Sequence, residues 1–240
     1  KLSDAPLLQY GYGSYGLVIE PSFKFTFMPL IDEGFIFAIA HIRGGQDLGR
    51  EWYDQGRMLN KMNTFYDFID CTKKLHSKNI GNEKKTYAMG GSAGGLLMGA
   101  IINLEPQLYK GIVSAVPFVD VLTTMSDESI PLTTFEYKEW GNPIKKKEYY
   151  YIKRYSPYDN IGNKPYPPVL VTSSLFDSQV QYFEPAKYVL KLREYSTSNN
   201  PILLKMNLIG GHAGKSGRLA SLKETAEELG FLSTLSTKNS

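Results

Sequence analysis

Between Tyr87 and Ala100 an apolar run, Tyr87-Ala88-Met89, passes through Gly90-Gly91-Ser92-Ala93-Gly94-Gly95 directly into the helical pattern Leu96-Leu97-Met98-Gly99-Ala100. This reads as a strand, a sharp turn and a helix, with one serine at the tip. The GxSxG spacing of Gly90, Ser92 and Gly94 constrains the fold strongly. The serine must occupy a strained turn, and a Cβ at either glycine would collide with the adjoining strand or helix. A turn of this kind lifts the hydroxyl clear of the sheet. Short motifs recur by chance, so the surrounding elements decide what this one means.

Six short β-branched or aliphatic runs surround it: Leu7 to Tyr10, Phe35 to His41, Thr86 to Met89, Gly111 to Val116, Val169 to Ser173 and Ile202 to Leu208. Most are apolar throughout rather than alternating, as strands of a parallel sheet covered on both faces must be. Helical patterns lie between them, from Thr64 to Ser77, Gly94 to Leu104, Glu184 to Tyr195 and Arg218 to about Leu235. Alternating β and α elements predict an α/β fold with an open, doubly wound sheet in a single domain. From Asp120 to about Pro168 the rhythm breaks into a long aromatic, proline-bearing stretch with EYKEWGNP and SPYDN, which predicts a functional loop or small cap. Within it, Lys145 to Tyr155 predicts a basic, tyrosine-rich surface helix, and Ser236 to Ser240 predicts a frayed tail.

Composition narrows the class. The chain has 240 residues, 27 basic against 24 acidic, a net charge of +3 with the lysines scattered, so no nucleic-acid-binding face is expected. No apolar segment approaches the roughly 18 residues of a membrane span, so no membrane partner is expected either. The single Cys71 excludes an internal disulfide and favours a reducing, cytoplasmic setting. Its place in the helix from Thr64 predicts a packing role, while His76 is expected to support that helix's lysine-rich end electrostatically.

Acyl transfer at a serine needs a base, an acid that orients the base, and donors for the developing oxyanion. In an α/β-hydrolase sheet the acid and then the base follow the serine in chain order, on loops after strands. Asp177 follows the Val169 run, and His212 lies in the glycine-rich loop Gly210-Gly211-His212-Ala213-Gly214 after the last strand. Of three histidines, His41 precedes the serine and His76 is helical, which leaves His212 as the base. Asp120 also follows a strand and competes as the acid, with Asp159 of SPYDN a weaker rival. The Ala93 N–H, next after the nucleophile, is one expected oxyanion donor. The loop after the first strand carries Tyr10, Tyr12 and Tyr15, any of which offers a phenolic O–H or merely packs.

Across about Pro6 to Leu235 the stretches LLQYGYGSYG, HIRGGQDLGREWY, GGSAGGLLMGA, AVPFVDVLTTM, EWGNP, SPYDNI, DSQVQYFEPAKYVLKLR and GHAGKSGR closely resemble the catalytic domain of the prolyl oligopeptidase family, in its branch that cuts short peptides after Arg or Lys. The resemblance implies an α/β-hydrolase fold with Ser92, Asp177 and His212 as the triad, and demotes Asp120. It implies Tyr12 as the hydroxyl donor beside Ala93 N–H, Glu136 as the carboxylate that receives a basic side chain, and Tyr15 and Phe118 as aromatic walls around it. Without the resemblance Glu136 and Glu139 read as solvated loop acids. No cofactor or metal is implied.

Three departures qualify the match. Lys138 stands where many relatives have a second acid, which should weaken binding of paired basic residues. Gln179 stands where proline-specific members have an arginine, which argues against proline specificity. The family's amino-terminal β-propeller and first sheet strands are not in the sequence, and Lys1 is not a methionine, so a fragment is expected. Two alternatives stay open: an esterase or peptidase of the same family that does not need Glu136, and an inactive fragment or binding scaffold. The oligomeric state is left open.

Overall fold

Each continuous apolar run of the sequence becomes a strand whose successive side chains feed opposite faces of one sheet. The computed structural model describes residues 1–238. Strands β1 (Leu7–Tyr10), β2 (Ile36–Ile39), β3 (Thr86–Gly91), β4 (Gly111–Ala115), β5 (Val169–Ser174) and β6 (Ile202–Asn207) lie in the order β2-β1-β3-β4-β5-β6. Every neighbouring pair is parallel. Helices α1 (Met28–Asp32), α2 (Arg50–Asp54), α3 (Met62–Ser77), α4 (Ala93–Leu104), α5 (Val121–Ser126), α6 (Thr133–Trp140), α7 (Lys146–Tyr155), α8 (Phe183–Tyr195) and α9 (Arg218–Lys238) cover it.

On one face Ala88, Ile112, Val169 and Val171 pack with Phe65, Phe68 and Ile69 of α3, with α4, and with Tyr188, Val189 and Leu192 of α8. On the other, Leu8, Tyr87, Met89, Val113 and Leu170 meet Leu30 of α1 and Leu229 and Leu232 of α9. Two covered faces explain why the strands read as continuously apolar. Helix α4 is buried from Ala93 to Asn103, which is why its sequence is apolar on all sides.

The structure corrects several expectations. The stretch after Asp120 is no simple loop, because α5, α6 and α7 make up about half of it and bury Val121, Met125, Trp140 and Ile152. Helix α7 is basic outside, but Ile152 and Tyr155 anchor it in the core, so it is more than a solvated surface helix. Cys71 is exposed, on the outer face of α3, and takes no packing role. His76 is bonded through Nε2 to Thr86 Oγ1 at 2.8 Å, and burial lowers its pKa, so it ties α3 to β3 rather than serving the helix end as a cation. Helix α9 runs on to Lys238 through most of the expected tail; residues 239–240 lie outside the described residues.

Candidate active site

Ser92 follows β3 directly and sits at the carboxyl end of a central strand, where open α/β sheets place their ligands. Its φ of 55° and ψ of −116° are unusual for a residue with a side chain, and four backbone bonds hold it there. Its N–H donates to Ala115 O at 2.8 Å, and its carbonyl accepts from Gly95 N at 2.9 Å, Leu96 N at 3.2 Å and Phe118 N at 3.1 Å. The flanking glycines are required by contact: a Cβ on Gly90 would stand 2.5 Å from Gly94 O, and one on Gly94 2.8 Å from Gly11 O. Ala93 opens α4, so its N–H has no helical carbonyl to bond, and the residue lines the cleft beside Ser92.

Asp177 and His212 meet across the ends of β5 and β6. Asp177 Oδ1 accepts from Gln179 N and Val180 N, each at 2.8 Å, which leaves Oδ2 aimed at His212 Nδ1, 2.8 Å away. With Nδ1–H donating to the carboxylate, Nε2 carries the free lone pair. The loop that presents His212 is tethered at both ends. Asn207 Oδ1 accepts from Ile209 N and Gly210 N, and Asn207 Nδ2 donates to Glu224 Oε1 at 2.8 Å, while Glu224 also accepts from Lys215 N. Asp120, the rival acid, is occupied elsewhere by an ion pair with Lys187 of α8. Asp159 is exposed in a short turn. Among the described contacts Ser92 has no hydrogen bond to His212; the hydroxyls of Tyr12 and Ser92 share one instead. Catalytic hydrogen bonds are often long before substrate binds and tighten in the complex.

A cleft of about 260 Å³ joins Ser92 and Ala93 to Tyr12, Tyr15, Phe118, Glu136 and Trp140. Burial, the neighbouring Tyr10 and the carboxylates of Glu139 and Glu136 push the Tyr12 hydroxyl up to about 12, against the pull of Ser92, so Tyr12 keeps its proton and stays a donor. Glu136 Oε2 accepts from Tyr15 Oη–H at 2.7 Å and from Trp140 Nε1–H at 3.0 Å, which leaves Oε1 for another cation or donor. Tyr15 and Phe118 both lie against Trp140, with centroids 5.6 and 5.3 Å from it. Tyr10 does not line this cleft, Lys138 is exposed on α6, and Gln179 contributes to the lining.

Tyr12, Tyr15, Ala93, Phe118 and Glu136 thus share the Ser92 cleft and Asp177 pairs with His212, whereas the other candidates Tyr10, Asp120 and Asp159 belong to neither group. Trp140 was not anticipated. It lies four residues after Glu136 on α6, so a helical reading of EYKEW would have put both on one face. Glu224 and Asn207, which hold the histidine loop, carry no comparable signal. Among the described residues no three His, Cys, Asp or Glu side chains form a group able to hold a metal ion, and no helix is long and apolar enough to cross a membrane.

Comparison with known proteins places this geometry. Dipeptidyl aminopeptidase BI of Pseudoxanthomonas mexicana is 54% identical over 228 residues, 95% of this chain and 32% of that protein. Protease 2 of Moraxella lacunata is 52% identical over 95% of this chain and 33% of its own length. The structure of oligopeptidase B from Leishmania major superposes with a TM-score of 0.97 at 47% identity, covering 99% of this chain and 33% of that one. The chain thus spans about a third of the length of the relatives it matches. Strands β2 to β6, the elbow at Ser92, Asp177 and the histidine loop all occur within residues 21–239, which match the prolyl oligopeptidase family model, and the chain belongs to the prolyl oligopeptidase family.

Proposed function

We propose that this chain is the catalytic part of a serine peptidase that cleaves short peptides on the carboxyl side of Arg or Lys. His212 Nε2 takes the Ser92 proton as Oγ attacks the scissile carbonyl carbon, and Asp177 orients and stabilises the imidazolium. The oxyanion accepts from Tyr12 O–H and Ala93 N–H. For this, Tyr12 exchanges its hydrogen bond with Ser92 for one to substrate, and the His212 loop brings Nε2 within reach of Oγ. His212 then protonates the leaving amine, the C–N bond breaks, and water releases the acyl group from Ser92 by the same steps in reverse.

The observation that carries the reading is Glu136. It is a half-buried carboxylate in the same cleft as Ser92, with one oxygen fixed by Tyr15 and Trp140 and the other free. A guanidinium or ammonium fits such a site through charge-assisted hydrogen bonds and contact with the aromatic faces of Tyr15, Phe118 and Trp140. A second reading is favoured by the relative named dipeptidyl aminopeptidase BI: release of dipeptides from a free amino terminus. The test uses the intact protein and its Ser92→Ala variant on amides of arginine, alanine and proline, amino-blocked and as free dipeptides. The proposal expects Ser92-dependent cleavage of blocked arginyl amides. Hydrolysis that survives Ser92→Ala overturns the nucleophile, and activity confined to free dipeptides favours the second reading.

A further inference from the structure

The turn formed by residues 11–16 supplies Tyr12 to the oxyanion and Tyr15 to Glu136, yet its backbone is strained. Gly13, Tyr15 and Gly16 all have left-handed φ, at 71°, 59° and 65°, and Tyr15 does so with a bulky side chain. Such conformations persist only when the surroundings over-determine them. Two buried charges grip this turn from beneath. Lys61, 1% exposed, donates from Nζ to Gly13 O at 2.6 Å and to Ser14 Oγ at 2.8 Å, and stands 5.0 Å from the centre of the Trp140 ring. Glu139, 4% exposed, accepts the Tyr15 N–H on Oε1 at 2.9 Å and the Tyr53 hydroxyl on Oε2 at 2.6 Å.

Resting on the serine-peptidase reading of Ser92, we infer that Lys61 and Glu139 are positioning residues that lock the 11–16 turn, setting Tyr12 for the oxyanion and Tyr15 for Glu136. An apolar side chain in place of the lysine would fill the same space without the cost of desolvating an ammonium. What it would not supply is a pair of donors to Gly13 O and Ser14 Oγ, the two residues that separate Tyr12 from Tyr15. Burial lowers the Lys61 pKa to about 8, and the Glu139 charge opposes that fall. The other titratable groups around the pair are Tyr12 and Tyr15 of the turn, Tyr53 of α2 with Arg57 stacked on its ring, and Tyr155 of α7; all four tyrosines are raised and stay protonated where Lys61 titrates. The grip therefore weakens as pH rises through about 8. The fold does not weaken through this ionisation: between about 8 and 10.5 an unfolded Lys61 binds more proton than the folded one, so this group's contribution to stability rises with pH.

The decisive measurement is the rate at which a fluorophosphonate labels Ser92 in the intact protein, as a function of pH, with melting followed in parallel. It needs the nucleophile and the oxyanion donors but not the basic-residue pocket. The wild-type rate should fall above about pH 8 without loss of melting temperature. Lys61→Met should label roughly 10- to 100-fold more slowly at neutral pH, less than the roughly 10²–10³ of an outright lost oxyanion donor because Tyr12 is displaced rather than removed, and should lack the alkaline fall. Glu139→Gln, which strips Lys61 of its counter-charge, should move that fall to lower pH. A Lys61→Met rate within about twofold of wild type, or a Glu139→Gln fall at the wild-type pH, overturns the inference; if Lys61→Met does not fold, Glu139→Gln decides alone. Wild-type labelling without cleavage of arginyl amides refutes the proposed specificity while the inference is still judged on the labelling rates, and absence of wild-type labelling overturns both.

Discussion

Replacing Glu136 by glutamine keeps the shape of the cleft and removes one charge. In the structure Oε2 is already committed to Tyr15 Oη–H and Trp140 Nε1–H, so only Oε1 faces the rest of the cleft. A glutamine that keeps its oxygen on those two donors must turn its NH2 toward the substrate cation, replacing an attraction by a donor–donor clash. Loss of one charge-assisted hydrogen bond, about 1.5–3 kcal/mol, corresponds to roughly 10- to 150-fold in kcat/KM for an arginyl amide. The clash pushes the expected loss toward the upper end. A small neutral ester uses Ser92, Tyr12 and Ala93 but has no cation for Glu136, so its kcat/KM should change by less than about threefold. The assay compares both substrates on the intact Glu136→Gln protein. Equal losses on the two would refute the reasoning, because they would mean that Glu136 acts through cleft structure and not by receiving a basic side chain.

Two further outcomes are expected. Tyr12→Phe removes one oxyanion donor and should cut kcat by roughly 10²–10³ with little change in KM; an unchanged kcat would show that the Ala93 N–H suffices alone. Glu184, buried on α8 and accepting from Asp120 N and Thr124 Oγ1, has its pKa pushed up to about 7 by burial, the two hydrogen bonds opposing this. The folded protein therefore binds more proton than the unfolded chain between about 4.5 and 7, and stability should decline as pH rises through that window. In Glu184→Gln that part of the slope should vanish in urea midpoints measured from pH 4.5 to 8; a wild-type slope in the variant would sink the assignment.

Much of this site was legible because its signals are local. The glycines of the Ser92 turn are dictated by contacts within a few residues, such as Gly90 against Gly94 O. The strand ends were readable to within two residues because burial keeps the strands largely apolar, with few polar positions such as Gln9 and Ser114 inside them. Chain order after the strands then singled out His212 and left Asp177 and Asp120 as candidate acids, of which Asp177 meets the histidine. In the segment after Asp120 the helix from Lys145 was legible, but α5 and α6 were not, because they are short and α6 is only weakly amphipathic, so tertiary packing rather than periodicity stabilises them. Cys71 was misplaced for a related reason: a helical position alone does not tell which face meets the sheet.

By itself, then, the sequence determined a parallel α/β sheet, the serine elbow and the order of acid and base, because hydrophobic runs and steric turns write themselves into neighbouring residues. Tertiary structure alone decided which charges work together. Tyr15 and Glu139 are 124 residues apart, Lys61 reaches Gly13 across 48 residues, and Tyr15 finds Glu136 across 121. Such pairs leave no spacing to read, since they form only where the turn after β1, the segment before α3 and helix α6 converge, and it is their burial together that makes each charge matter.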